Sequence, residues 1–420
     1  MNRLLQGDVG SGKTVIAALS MAMVVHQGAQ AAIMAPTSIL AEQHFMNLSK
    51  LLGASGDRGS VTDEPGREFV LKPGEIRLLI GSLPPGERGE ILDGLASGVI
   101  KILVGTHALL EDPVTFADLQ FVVVDEQHRF GVEQRAVLRA KGQNPHLLVM
   151  TATPIPRSLA LTVYGDLDLS VMDEMPPGRQ PVETQVFLPR ERERVYQLIR
   201  SQIAQNHQAF IIYPLVEESE NSELAAIEEH NRLQTAIFPK FKLGLLHGRL
   251  KPEEKDAVMA DFRDGQTHIL VSTSVVEVGV DVPNATVMVI EGANRFGLAQ
   301  LHQFRGRVGR GEAKAFCALI PENPDDIENE RLQAMVATTD GFVLAEKDLE
   351  QRGPGDFLGT RQAGFSELKL ASLTDVHLIE KARQQAQTIF QRDPDLGQPH
   401  HSLLLAALRR FWGDGKGDIS

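Results

Sequence analysis

The stretch GDVGSGKT, residues 7–14, decides the fold class of the first half of this 420-residue chain. It matches the pattern G-x-x-x-x-G-K-[ST] of a phosphate-binding loop, follows the apolar run RLLQ and precedes the helical pattern TVIAALSMAMVV. Glycines let backbone amides turn toward phosphate oxygens, and the helix adds its positive N-terminus. We predict that Lys13 reaches the β and γ phosphates of ATP and that the Thr14 hydroxyl holds Mg²⁺. The predicted phosphate-binding residues are Gly7, Asp8, Val9, Gly10, Ser11, Gly12, Lys13 and Thr14. The alternative is a plain glycine-rich turn.

Composition limits the protein class. The net charge of −13 argues against a globally basic nucleic-acid coat, but residues 292–311 carry four arginines and no acidic residue, which is a sufficient local patch. The single cysteine, Cys317, excludes an intramolecular disulfide framework and fits a reducing compartment. No apolar run reaches membrane-spanning length without interruption, so we expect a cytoplasmic protein that does not enter a membrane.

Short apolar runs alternate with helical patterns, which predicts an α/β fold with parallel sheets in two halves. The first-half strand candidates are RLLQG, AAIMAP, IRLLIG, KILVGT, FVVVDE and HLLVMT, and the second-half candidates are AFIIYPLV, KLGLLHG, HILVSTS, VMVIEG and AFCALI. MPPGRQPV at residues 175–182 predicts a linker, and residues 53–74 a surface insertion. A helix is predicted to begin at KPEEKDAV with Pro252 in its first turn. Residues 326–350 and the tail ending in LLLAALRRFW look helical.

Two carboxylates follow the buried run FVVVDEQH at the end of a predicted strand. Ligands of parallel sheets bind at this edge, so we predict that Asp125 completes the Mg²⁺ site and Glu126 polarises the attacking water. The alternative is an acidic strand end that caps a helix. In TATPIPR, the hydroxyls of Thr151 and Thr153 could bond this strand end and sense the γ-phosphate; a plain Thr-rich turn is the other interpretation.

Arginines in QFRGRVGRG, residues 303–311, are candidates for stabilising the charge of phosphoryl transfer. Arg307 and Arg310 are three residues apart, hence on one face if the segment is helical. An arginine that enters from a second domain can act in this way when the two halves close on ATP. The alternative is a solvated basic face. His247 and His302 fit structural roles better than metal binding.

Together these motifs resemble the core of superfamily 2 helicases, built from two RecA-like domains. The motifs GDVGSGKT, APTSILAEQH, VGTHALL, VVVDEQH, TATPIPR, STSVVEVGVDVPNA and QFRGRVGRG occur in that order. DEQHRFGVEQR, TATPIPRSLALTVYGDLDLSVMDEMPPGR, GLLHGRLKPEEKDAVM and RFGLAQLHQFRGRVGRG resemble the RecG family of fork-remodelling DNA translocases, more closely than the transcription-repair coupling factors. The resemblance covers most of the chain.

The resemblance implies a domain plan and further site residues. The expected units are a first RecA-like domain (1–176), a second (177–324), a translocation hairpin and loop (325–372) and a helical tail (373–420). Gly279 and Asp281 would join the ATP site; His128, Thr151, Thr153, Gln303, Arg331, Arg352 and Gln362 would couple ATP hydrolysis to movement on DNA. The implied partners are ATP, Mg²⁺ and branched or forked duplex DNA, in the bacterial cytoplasm at the nucleoid; a monomer is compatible with it.

RecG-like proteins also carry an N-terminal wedge domain and an adenine-holding segment, which this sequence lacks. We therefore expect an N-terminally truncated chain, through a truncated gene, a misplaced start or a split product, with exposed apolar surface on its first domain and weakened base and fork recognition. The main hypothesis is an ATP-dependent DNA helicase of the recombination and repair type. The alternatives are a non-enzymatic remnant that binds nucleotide or DNA, and an RNA helicase with a similar motor.

Overall fold

The computed structural model describes most of the chain. The described residues are 1–53, 70–81, 83–126, 132–152, 155–156, 160, 167–174, 180–214, 227–273, 282–311, 313–352 and 376–412.

The first half forms a seven-stranded sheet, sheet A, in the order β3-β4-β2-β5-β6-β1-β7 with every neighbouring pair parallel. Its strands are β1 (Asn2–Gly7), β2 (Gln30–Met34), β3 (Ile76–Leu79), β4 (Ile102–Gly105), β5 (Leu119–Asp125), β6 (His146–Thr151) and β7 (Asp168–Met172). All six strands predicted in this half are confirmed. Because β1, β6 and β5 run parallel, the phosphate loop and the Asp-Glu pair both follow strands that end at the carboxyl edge of the sheet. β6 lies between the other two strands, so the loop and the pair are two strands apart.

Helices cover both faces of sheet A. They are α1 (Lys13–His26), α2 (Ser38–Leu52), α3 (Pro85–Ala96) and α4 (Val132–Ala140). Successive residues of one strand point to opposite faces, so Ile33 packs with α1 and α2 while Ala32 and Met34 pack on the side of α3 and α4. The strands are apolar almost throughout because both faces are buried.

The second half forms a six-stranded sheet, sheet B, in the order β10-β11-β9-β12-β13-β8, again with every pair parallel. Its strands are β8 (Glu183–Val186), β9 (Gln208–Tyr213), β10 (Leu243–Leu246), β11 (Ile269–Thr273), β12 (Ala285–Glu291) and β13 (Phe316–Ile320). The five predicted strands are confirmed. The flanking helices are α5 (Arg192–Ile203), α6 (Pro252–Arg263) and α7 (Leu298–Arg305), and α6 starts with Pro252 as predicted.

Two edge strands were not predicted. β7 (DLSVM) pairs with β1, and β8 (ETQV) pairs with β13. Neither has a fully buried residue, because an edge strand packs on fewer neighbours and tolerates polar side chains. The predicted surface insertion lies mostly outside the described residues; at its end Leu71 is buried in the core of sheet A, contrary to that prediction.

Helices follow the last strand. They are α8 (Glu330–Ala337), α9 (Gly341–Arg352), α10 (Val376–Arg392) and α11 (Ser402–Trp412), as predicted for 326–350 and the tail. The first two pack on sheet B through Leu332, Met335 and Leu344. Among the described residues, no helix is long and apolar enough to cross a membrane. The domain boundaries at 176, 324 and 372 stay predictions.

Candidate nucleotide site

The phosphate loop joins β1 to α1 and is closed around its own lysine. The ammonium Nζ of Lys13 donates hydrogen bonds to the carbonyl oxygens of Gly7 and Asp8, at 2.8 Å each. Gly10 and Gly12 have φ of 80° and 97°, values that L side chains rarely adopt, so glycine is required there for the turn. The loop therefore has the backbone form that aims amides at an anion at the start of a helix.

Charges of both signs meet at Lys13. Burial lowers the pKa of Lys13, while the nearby carboxylates of Asp125, Glu126 and Asp8 act in the opposite direction and the charge of Arg310 adds to the lowering. Lys13 is only 8% exposed. Residues assigned to phosphate binding, Mg²⁺ binding and charge stabilisation thus lie within electrostatic range of Lys13, although they come from both halves of the chain.

Asp125 is held by a histidine that the sequence analysis did not select. Nε2 of His44 donates to Oδ2 of Asp125 at 2.7 Å, and the amide of Glu126 donates to Oδ1 at 3.1 Å. Burial alone would raise the pKa of Asp125, but the hydrogen bond and charge of His44 and the charge of Lys13 outweigh it and lower that pKa. The carboxylate is therefore ionised and oriented. The signal was the last residue of APTSILAEQH, quoted only as part of a motif.

Glu126 sits in a strained backbone conformation directly after β5. Its φ is 53°, in the left-handed region that is uncommon for a residue with a side chain. Burial, and next the charge of Asp125, raise its pKa from 4.5 to about 6; the charges of Arg307 and Lys13 and a backbone hydrogen bond from Ala152 oppose the rise. A buried carboxylate with a raised pKa has the character of a general base that works near neutral pH.

Arg307 and Arg310 of QFRGRVGRG reach this site from the second half, but not on a helix. α7 ends at Arg305, and the chain then turns, with the amide of Arg307 bonded to the carbonyl of Phe304 and Gly309 at φ 73°. A helix through Arg307 and Arg310, which would place both on one face, is therefore not present in this segment. The turn nevertheless places Arg307 near Glu126 and Arg310 near Lys13, since their charges affect those pKa values.

The two halves touch directly at the phosphate loop. Nε2 of His302 on α7 lies 2.7 Å from Oδ1 of Asp8, and both residues are buried. Next to this contact, a Cβ added at Gly306 would lie 3.1 Å from the side chain of Val9, so only a residue without a side chain fits comfortably there. The partner of His302, Asp8, lies in the other half of the chain.

The residues assigned to Mg²⁺ fit that ion by their chemistry. Each carboxylate oxygen of Asp125 accepts a hydrogen bond, from His44 or from the Glu126 amide, and has a second lone pair that a metal can use. Thr14 is half-buried at the first turn of α1. Mg²⁺ prefers oxygen ligands and is commonly held by one or two side chains plus water and substrate phosphates. Among the described residues, no group of three or more His, Cys, Asp or Glu side chains could hold a metal.

Other predicted site residues lie near or beyond this centre. Thr151 is buried at the end of β6, Gln303 is half-buried on α7, and Arg331 at the start of α8 donates to the carbonyl of Phe296 at 3.3 Å. The backbone of Ala152, next to Thr151, forms a hydrogen bond with Glu126. His128, Thr153, Gly279, Asp281 and Gln362, and the side chain of Arg352, lie outside the described residues. The assigned roles stay predictions.

Comparisons with known proteins agree with this arrangement of two parallel sheets around a phosphate loop. The family model "DEAD/DEAH box helicase" matches residues 1–162, and "Helicase conserved C-terminal domain" matches residues 190–312. The chain therefore has the two-part core of that helicase class, which confirms the expected fold. A third model, "ATP-dependent DNA helicase RecG, domain 3, C-terminal", matches residues 338–413.

Individual relatives narrow the class to one family. The chain is 51% identical to the ATP-dependent DNA helicase RecG of Synechocystis sp. over 98% of its length and 48% of that protein. It is 48% identical to that of Bacillus subtilis over 96% of its length and 57% of that protein. A solved structure of RecG bound to a three-way DNA junction matches 90% of this chain and 47% of that chain, with 46% identity and a TM-score of 0.73. The chain belongs to the RecG family, and it spans about half the length of the curated relatives it matches.

Proposed function

We propose that this chain is the ATP-hydrolysing motor of a RecG-type DNA helicase and translocase. The observation that carries the proposal is the meeting of charges from both sheets at the phosphate loop: Lys13 and Glu126 from the first, Arg310 and Arg307 from the second. A site divided between two domains can open and close with each ATP, which is what coupling to movement requires. The RecG relatives are named as ATP-dependent DNA helicases.

The residues support a hydrolysis cycle. Lys13 exchanges its bonds to the Gly7 and Asp8 carbonyls for the β and γ phosphates of ATP. Glu126, with a pKa of about 6, is ionised at pH 7–8 and takes a proton from the attacking water. Arg307 and Arg310 stabilise the negative charge that develops on the transferred phosphoryl group. Thr14 and Asp125 would hold Mg²⁺, which would supply positive charge against the phosphate oxygens.

DNA is the proposed track, because a RecG relative was solved on a three-way DNA junction. The basic patch predicted at residues 292–311 does not supply the DNA contacts, because Arg305 and Arg307 are buried and Arg310 lies near Lys13. Phosphate contacts would dominate affinity, so binding should weaken steeply as salt rises. Filter binding of a forked duplex between about 50 and 200 mM salt tests this; an affinity that does not change with salt would contradict it. We place the activity in the bacterial cytoplasm at the nucleoid, in fork and Holliday-junction remodelling during recombination and repair.

The decisive experiment is ATP turnover by the purified chain with and without forked DNA. Lys13→Ala should abolish turnover, and Lys50→Ala, at an exposed position on α2, should leave it unchanged. Stimulation by DNA that depends on Lys13 supports the proposal. Nucleotide binding without turnover would favour the non-enzymatic remnant, and stronger stimulation by duplex RNA than by duplex DNA would favour an RNA helicase.

A further inference from the structure

A chain of buried hydrogen bonds leaves the phosphate loop and ends at the helices beyond sheet B. It starts at Asp8, whose Oδ1 accepts a hydrogen bond from its neighbour Val9 at 2.6 Å and lies 2.7 Å from Nε2 of His302. It continues through Nδ1 of His302 to Nη2 of Arg305 at 2.9 Å. Asp8, His302 and Arg305 are 7%, 3% and 3% exposed, so water does not compete for these bonds.

The partners of His302 define its hydrogen positions. A guanidinium group has only donors, so Nδ1 of His302 must accept from Arg305. The imidazole hydrogen therefore sits on Nε2 and is donated to the carboxylate of Asp8. Each link has one donor and one acceptor, which gives the chain a single direction from arginine to carboxylate.

The series of hydrogen bonds that starts at Asp8 ends at the C-terminus of α8. Nη1 of Arg305 donates to the carbonyl oxygens of Met335 and Thr338, at 2.8 Å each. The last carbonyls of a helix have no partner within the helix and carry its negative dipole end, so a cation is well placed there. Arg305 thereby fixes the junction between α8 and α9, which starts at Gly341.

The series of hydrogen bonds begins beside Lys13, the residue that would bind phosphate. Lys13 bonds the carbonyl of Asp8 in this state, and a bound phosphate would draw that ammonium away. The carbonyl of Asp8 would then lose one hydrogen bond and keep the one from the amide of Ser11 at 3.2 Å. The side chain of the same residue is the one that His302 holds. A cavity of about 310 Å³ bordered by Asp8, His302 and Arg305 leaves room for these side chains to shift.

We propose that His302 and Arg305 are positioning residues that transmit the phosphate state of the loop, read at Asp8, to the α8–α9 pair. This inference rests on the proposed function, because it supposes that the loop binds a nucleotide. It goes beyond that function by assigning the transmission to a defined set of bonds between the two halves. The competing explanation is that the three residues only hold the halves together.

Hydrogen exchange of residues 330–352, measured without nucleotide and with a non-hydrolysable ATP analogue, tests the relay in the full chain. In the wild type the analogue should change the exchange rate of the α8–α9 amides at least threefold. His302→Phe, which keeps the ring shape but has no hydrogen-bonding atom, should bind the analogue with a Kd within about threefold of wild type and lose that change. His302→Gln should restore it, since its terminal amide offers one donor and one acceptor.

The outcomes separate the hypotheses. A His302→Phe chain that still shows the nucleotide-dependent change at 330–352 overturns the relay. Equal loss of the change in the His302→Phe and His302→Gln variants also overturns the relay, because a purely structural contact would explain both results. A wild type that does not bind the analogue refutes the proposed function itself. Binding by all three chains, with the change present only in the wild type and His302→Gln, supports the relay.

Discussion

Replacing Glu126 by glutamine should stop ATP turnover and, at the same time, stabilise sheet A at alkaline pH. Burial and the charge of Asp125 raise the pKa of Glu126 from 4.5 to about 6, so the folded protein resists its ionisation. Between pH 4.5 and 6 the unfolded chain loses this proton before the folded chain does. The free energy of unfolding therefore falls as pH rises through this window, and the loss persists above it. Glutamine has no proton to lose.

The size of the effect follows from the two pKa values. Their difference of about 1.5, at about 1.36 kcal/mol for each pH unit, amounts to about 2 kcal/mol at pH 8. At pH 5 the unfolded carboxyl is only partly ionised, and the same relation gives about 0.8 kcal/mol. Glu126→Gln should therefore gain about 1.2 kcal/mol more stability, relative to wild type, at pH 8 than at pH 5.

Native-state hydrogen exchange of the β5 amides (Leu119–Asp125) measures the opening of sheet A separately from the rest of a multidomain chain. Wild type, Glu126→Gln and Glu90→Gln would be compared at pH 5 and pH 8. Glu90 is an exposed residue of α3 and serves as the matched control. A stability difference between wild type and Glu126→Gln that is the same at both pH values would refute the argument from burial.

Turnover gives an independent check of the same carboxylate. Glu126→Gln should lower the rate of ATP hydrolysis by about 10²-fold or more while nucleotide binding persists. In the wild type, kcat/KM should fall about tenfold per pH unit below pH 6, because the base must be ionised. Near-normal hydrolysis by Glu126→Gln would remove it from the role of base, and a rate that is flat from pH 7 to pH 5 would do the same.

Three glycine substitutions test the close contacts of Gly306 and Gly105 and the open position of Gly89 on α3. Gly306→Ala should reduce stability in urea unfolding by about 1–2 kcal/mol, since the new Cβ lies 3.1 Å from Val9. Val9→Ala removes the Cγ2 contact but keeps the Cβ at the same 3.1 Å, so it should relieve part of that loss; equal losses in both backgrounds would contradict the Cγ2 contact. Gly105→Ala should destabilise sheet A by about 3 kcal/mol, because its Cβ would overlap the carbonyl of Leu79; an unchanged urea midpoint would contradict this. Gly89→Ala, in open space on α3, should raise stability by about 0.5–1 kcal/mol, and a lower melting temperature would contradict it.

The sequence by itself determined the α/β class, eleven of the thirteen strands in the described residues, the phosphate loop and the family. These features are local: a strand buried on both faces needs a continuous apolar run, and the loop needs glycines at fixed offsets. Strand ends were equally readable, because carboxyl ends of parallel strands meet at one edge, which placed Asp125 beside the loop of Lys13. The edge strands β7 and β8 were not predicted, because their partly exposed sequences lack a continuous apolar run.

Only the tertiary structure decided which distant side chains hold the site together. His44 bonds Asp125 from 81 positions away, and His302 bonds Asp8 from 294 positions away. No spacing rule connects such pairs, because their contact depends on how α2 packs on sheet A and how α7 of the second half meets the loop. The turn after Arg305, rather than a continued helix, likewise brings Arg307 near Glu126 and Arg310 near Lys13. Local sequence determines where the helices and strands form. The hydrogen bonds between them depend on which buried donors and acceptors the tertiary packing brings together.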